Sequence, residues 1–265
     1  MIPLKDYNPT TRRAWITLGL ILVNVFVYFL VQPHGQGNVN PQSEAVREAK
    51  FTYAHAAIPC EVTHGHPLTV AEVEATVNNN DQNACSDPSL ASTPEVFPHK
   101  NIYLAILYSM FLHASLLHIA GNMLFFWIFG NNIEDRMGWI GYPIFYLVSG
   151  LVAAASQFAV QPNSTVPVVG ASGAIAGVMG AYLVLFPRVR IRTLFIIVII
   201  PLIRDISAAW LLVFWFLLQF LTSPNSGVAW VAHVGGFVFG ALIALIFRNH
   251  LRPPRTRPNL FYGAT

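Results

Sequence analysis

Charge is what this 265-residue chain has least of: 10% of its residues are Asp, Glu, Lys or Arg, against about 25% in ordinary soluble domains. So few ionic side chains exclude a solvated globular surface and point to a polytopic membrane protein. The formal net charge is only +3, and the basic residues sit in short clusters beside apolar runs. That placement excludes a nucleic-acid surface and reads as a membrane-topology signal. Cysteine is confined to Cys60 and Cys85, which leaves room for one disulfide. No HExxH or comparable ligand spacing occurs, which argues against a metal centre, and no cofactor is expected.

What is abundant is apolar: 54% of residues are hydrophobic and the mean hydropathy is +0.52. Candidate spans run over 14–31, 115–129, 141–160, 169–186, 206–221 and 228–247. The expected fold is therefore an all-α membrane protein of six transmembrane helices with a long, partly helical external first loop. The first run follows Lys5, Arg12 and Arg13 like a signal peptide, but it is longer than a typical h-region and no small-x-small cleavage site follows it. It is expected to remain as a helix. The chain then divides into an N-terminus (1–13), a first transmembrane helix (14–31), a polar insert (32–100), a core of five further helices (101–247) and a basic tail (248–265).

Within the insert, "PQSEAVREAKFTYAHAA" and "TVAEVEATV" have helix-like spacing. Residues 101–114 are apolar and aromatic but would overshoot the bilayer if joined to the next span, so they are placed in the outer interface. "TLFIIVIIPLI", ended by Pro201, Arg204 and Asp205, reads in the same way on the opposite side.

Orientation follows from Lys and Arg. With the N-terminus inside, Lys5, Arg12, Arg13, Arg136, Arg188, Arg190, Arg192, Arg204, Arg248, Arg252, Arg255 and Arg257 fall inside, and Arg47, Lys50 and Lys100 outside. Both termini are thus expected in the cytoplasm, for a multi-pass protein of the plasma (cell inner) membrane. The insert then faces outside, where Cys60 and Cys85 either pair or remain free thiols; paired, they would lend about 3 kcal/mol to the insert alone.

In that topology the second, fourth and sixth spans all begin in one outer layer, and each begins with polar groups. His118 and Asn122 lie at i and i+4 on the second, Ser172 opens the fourth and His233 the sixth. Singly, a serine can bond its own helix carbonyl and a histidine or asparagine can bridge helices. Together they describe a wet cavity. Ser172 and His233 can act as nucleophile and general base. Glu134 and Asp205 both fall at the inner side, so no carboxylate is at hand to orient the histidine and a dyad is the minimum mechanism. The start of the Ser172 helix offers unpaired N–H groups, the Ser172 N–H among them, and Asn122 and His118 could complete an oxyanion hole. Gly173 and Gly177 in the fourth span, and Gly236 and Gly240 in the sixth, make small-residue faces for close packing.

"HIAGN" (118–122), "GASG" (170–173) and "AHVGGFVFG" (232–240), in that order, resemble the rhomboid intramembrane serine proteases. "FGNNIEDRMG" resembles that family's Glu-x-Arg turn, here Glu134 and Arg136. The resemblance covers 101–247 and implies a six-helix rhomboid-like bundle, with Ser172 as nucleophile, His233 as base, His118, Asn122 and the Ser172 N–H at the oxyanion, and Gly170 permitting a tight turn. The implied partners are transmembrane protein substrates in a lipid bilayer. In some members an aromatic residue one turn after the serine stacks on the histidine; here that position is Ala176, so the resemblance does not say what orients His233. The long insert has no role carried over. A second reading stays open: an inactive relative that binds transmembrane helices, or an ion or proton transporter with His113, His118 and His233 as relay or metal ligands and His64 and His66 as a loop pair.

Overall fold

A computed structural model describes residues 1–33, 41–197, 200–222 and 228–251. The basic tail beyond Leu251, with Arg252, Arg255 and Arg257, lies outside the described residues. Helical segments occupy all six apolar stretches. α1 (Trp15–Phe26) continues as a π-helical turn to Val31. α6 (Leu116–Val160) follows, then α7 (Ser172–Leu185), α8 (Ala208–Gln219) and α9 (Trp230–Ile246), with a short α10 (Arg248–Leu251). By length and composition α6 is the one described helix able to cross a membrane unaided; α1 with its π turn, α7, α8 and α9 are shorter apolar helices.

α6 is 45 residues long but is not one rod. At Gly138 the backbone takes φ 75° and ψ 177°, a conformation that L side chains rarely adopt, and the helix folds back there. Phe126 in the first limb stacks on Tyr146 in the second, with ring centroids 5.0 Å apart. Ser115 starts the helix by accepting the His118 N–H at 3.1 Å, which is why the apolar stretch before it breaks off as the separate α5 (Leu104–Ser109).

The turn between the limbs of α6 holds the start of α1. Glu134 is buried and accepts Ile16 N–H at 2.9 Å on one oxygen, and Thr17 N–H at 2.8 Å and Thr17 Oγ1–H at 2.7 Å on the other. These are donors that α1 cannot satisfy within itself. Arg136 pairs instead with Asp135 at 3.6 Å and lies over the Phe186 ring. Because an amide nitrogen cannot accept, Glu134→Gln strands at least one buried donor whichever way it turns. Thermal unfolding in detergent should show a loss of about 1–3 kcal/mol. An unaltered midpoint would mean that the cap contributes nothing.

The expectation of an all-α chain is corrected by a three-stranded antiparallel sheet in the order β1-β2-β3, made by β1 (Ile2–Asp6), β2 (Arg190–Ile197) and β3 (Ile200–Ser207). The described residues of "TLFIIVIIPLI" are therefore paired strands of this sheet. Their run of β-branched residues favours extended backbone, and Ile191 and Thr193 are buried while Arg192 between them is exposed. Pro201 is tolerated because β3 is an edge strand.

The insert contains α2 (Pro41–His55), α3 (Pro59–His64) and α4 (Val70–Asn79), so helices lie where the spacing of both segments put them. Thr69 and Glu72 close a capping box on α4. Cys60 and Cys85 are joined as a disulfide within a small core that includes Ile58 and Leu68. Glu61 and Lys100 form a buried ion pair at 2.6 Å, in which burial pushes the carboxyl up and the ammonium down, each shift opposed by the partner's charge.

Candidate active site

α7 is the axis of the bundle: every residue from Gly173 to Tyr182 is buried. Its contact with α9 is backbone to backbone. A Cβ on Gly236 would run into the Gly173 carbonyl, and one on Gly240 into the Gly177 carbonyl. A Cβ on Gly173 itself would come within 2.6 Å of the Ala153 methyl on α6. This approach decides the site, because Ser172 is the first residue of α7 and His233 sits in the first turn of α9. Ser172 Oγ lies 2.8 Å from His233 Nε2. The start of α9 is held by Gln157 of α6, whose Oε1 accepts Ala232 N–H at 3.2 Å.

The turn into α7 needs Gly170 for two reasons. Its φ is +123°, and a Cβ there would come within 2.9 Å of the His118 ring. His118 Nδ1 accepts Ala114 N–H at 3.4 Å, which leaves Nε2 as the donor nitrogen. Asn122 is buried and its Nδ2 has no hydrogen-bond acceptor among the described residues. His118, Asn122, Ser172 and His233 all line one cavity of about 280 Å³, with Trp215 of α8 at its side. A smaller recess of about 30 Å³, with Gly150, Ala153, Val168 and Ala232 in its wall, also borders Ser172. The N–H groups that open α7 have no carbonyl one turn back, so they form a donor cluster beside the hydroxyl.

A family model described as the rhomboid domain matches residues 100–250, more than half of the chain. The chain belongs to the rhomboid family. Among curated relatives, the rhomboid protease AarA of Providencia stuartii is 30% identical over 152 residues, 52% of this chain and 54% of the relative. The rhomboid protease GluP of Bacillus subtilis is 30% identical over 142 residues, 52% of this chain and 25% of the relative. RHOMBOID-like protein 6, mitochondrial, of Arabidopsis thaliana is 38% identical over 79 residues, 29% of this chain and 25% of the relative. The chain thus spans a quarter to about half of the length of these relatives. The rhomboid family is one of helical integral membrane proteins, and the insert lies almost wholly before the matched segment.

In this rhomboid the three histidines of the transport reading do not gather as ligands. His113 and His118 have ring centroids 5.1 Å apart, but the one grouping of three potential ligand side chains among the described residues is Cys60, Glu72 and Cys85, whose sulfurs bond each other. His64 and His66 turn their Nδ1 atoms to the backbone carbonyls of Cys60 and Pro67. Two features escaped sequence reasoning. One is Gln219 at the end of α8, whose Oε1 lies 2.8 Å from His233 Nδ1. The other is that the insert grips the loop leading into α7: Cys60 N–H donates to Ser164 O at 3.0 Å, Thr165 N–H to Gln82 O at 2.9 Å and Val168 N–H to Ala57 O at 2.8 Å. The insert that the disulfide closes is therefore not isolated from the loop before α7. A lone glutamine in an apolar helix was a signal that could have been weighed; the grip on residues 164–168 had none.

Proposed function

We propose that this protein is an intramembrane serine endopeptidase that cleaves single-span transmembrane proteins near the outer membrane face. The observation that carries the reading is the 2.8 Å contact between Ser172 Oγ and His233 Nε2 in a cavity lined also by Asn122, whose amide nitrogen has no acceptor among the described residues. As Ser172 Oγ attacks the scissile carbonyl carbon, its proton passes to His233 Nε2 and the C=O electron pair moves onto the oxygen. Asn122 Nδ2, His118 Nε2 and the Ser172 N–H stabilise that oxyanion. Collapse breaks the C–N bond, His233 gives its proton to the departing amine, and water then releases the acyl group by the same steps in reverse.

Six spanning helices with both termini cytoplasmic, in the plasma (cell inner) membrane, place this cavity in the outer part of the bilayer. There a substrate helix hides its carbonyls in its own hydrogen bonds and must unwind before attack. Helix-weakening Gly, Ala or Ser near the outer end of the substrate span suit that requirement, and small side chains suit the 30 Å³ recess beside Ser172. Two of the relatives bear the name rhomboid protease, in keeping with an active enzyme.

The test is labelling of the detergent-solubilised protein by a fluorophosphonate. Label is expected on wild type and not on Ser172→Ala; a wild type that takes no label points to an inactive binder of transmembrane helices. Asn122→Ala should lower turnover by roughly ten- to a thousandfold, as for one oxyanion donor among several. Unchanged turnover would remove Asn122 from the hole.

A further inference from the structure

α8 reads AAWLLVFWFLLQ, and Gln219 is its one side chain with an amide or a charge. The residue is 8% exposed, in a helix whose Leu217 and Leu218 are turned outward. Burying an amide is unfavourable unless both of its ends find partners, and here both do. Nε2 donates to the Trp215 carbonyl at 2.9 Å, one turn back in α8. A carbonyl can only accept, so the amide nitrogen must face it, and Oε1 is thereby turned toward His233 Nδ1 at 2.8 Å. An amide oxygen can only accept in turn. His233 Nδ1 must then carry the hydrogen, and Nε2 is left with its lone pair directed at Ser172 Oγ, 2.8 Å away.

From this chain of contacts we infer that Gln219 is a positioning residue for His233, fixing both its tautomer and its ring plane. The inference rests on the dyad proposed above and deepens it. It supplies the orienting group that Ala176 cannot provide and that no carboxylate among the described residues lining the cavity offers. The Trp215 ring beside His233, with centroids 5.8 Å apart and planes 40° apart, limits the imidazole from the side without stacking on it. Gln219 holds the productive tautomer as a neutral acceptor, so it adds no charge to favour the imidazolium. Its removal should therefore cost less than the roughly 10⁴-fold seen where a triad carboxylate is replaced and the wrong tautomer results.

The experiment uses the full chain in liposomes with a single-span substrate, comparing wild type, Gln219→Met and Gln219→Glu, with Ser172→Ala as the control. Methionine keeps the length and loses the acceptor; a protonated glutamate donates its O–H to the Trp215 carbonyl and keeps an acceptor oxygen facing His233. Gln219→Met should lower kcat by about ten- to a hundredfold with KM within error of wild type, and Gln219→Glu should recover most of the loss. Wild-type kcat in Gln219→Met, or an equal loss in both variants accompanied by a lower midpoint, overturns the inference in favour of a packing role. Should Gln219→Met not fold, ¹⁵N NMR of the wild-type histidines decides the matter: His233 protonated on Nδ1 and bare on Nε2 is expected, and the reverse tautomer overturns it. Failure of the dyad reading shows separately, as cleavage retained by Ser172→Ala.

Discussion

Ser172→Ala and His233→Ala should each reduce cleavage of a single-span substrate in liposomes to background, without ATP and with chelator present. The expected loss is on the order of 10⁴- to 10⁶-fold, because removing either member of a nucleophile and base pair costs nearly as much as removing both. Neither variant should lose much stability. Ser172 opens α7 and its hydroxyl bonds His233 alone among the described residues, while α9 is anchored by Gln157 and by the glycine contacts further along. The double variant should be no worse than either single one, which separates a cooperative dyad from two independent contributions. Cleavage that survives in Ser172→Ala, or that stops on adding chelator to wild type, sinks the serine mechanism.

The second large effect should come from the disulfide. Reduction, or Cys60→Ser with Cys85→Ser, releases a loop spanning 25 positions and removes about 3 kcal/mol of stabilisation by the chain-entropy model. The effect should reach the active site because both flanks of that loop hold the segment before α7. On one flank, Cys60 N–H donates to Ser164 O and Thr63 Oγ1–H to Pro162 O. On the other, Gln82 O accepts Thr165 N–H, and Thr76 Oγ1 meets Thr165 Oγ1 at 2.7 Å. The same segment continues through Val168, bridged to Ala57, to Gly170, whose N–H donates to Ser109 O at 2.9 Å. Ala57 N–H in turn donates to Ser109 Oγ at 2.6 Å, so insert, α5 and loop share one network. Turnover and the rate of fluorophosphonate labelling should both fall about tenfold, and the thermal midpoint by roughly 5–10 °C. Thiol counting on the same sample must show both cysteines free. Full activity in that state would mean that the insert grips a loop that needs no help.

The pattern of legibility follows the range of the interactions. Thr69 and Glu72 are three residues apart, so their capping box was readable, as was the helix of which it is part. The strands β2 and β3 were not legible because a short apolar run with a proline in it suits a helical and an extended segment equally well. What separates them is pairing with Ile2–Asp6 at the other end of the chain, including Asp6 opposite Ile191. Asp6 is further fixed by Asn132 Nδ2–H at 2.6 Å and Tyr182 O–H at 3.0 Å, neither of which local periodicity could announce.

By itself the sequence determined the membrane class, the apolar segments, the small-residue faces of α7 and α9 and the ordered motifs that bear Ser172 and His233. These are properties of composition and of spacing within one helix turn or two, where backbone geometry alone says which side chains share a face. Only the tertiary structure decided the 2.8 Å approach of Ser172 to His233, the seating of Gln219 behind the imidazole, the Glu134 cap on α1 and the grip of the insert on residues 162–168. Each is a contact between residues from 14 to more than 100 positions apart, and a hydrogen bond holds only within a few tenths of an ångström. That tolerance is set by how closely whole helices pack, which no local pattern of residues specifies.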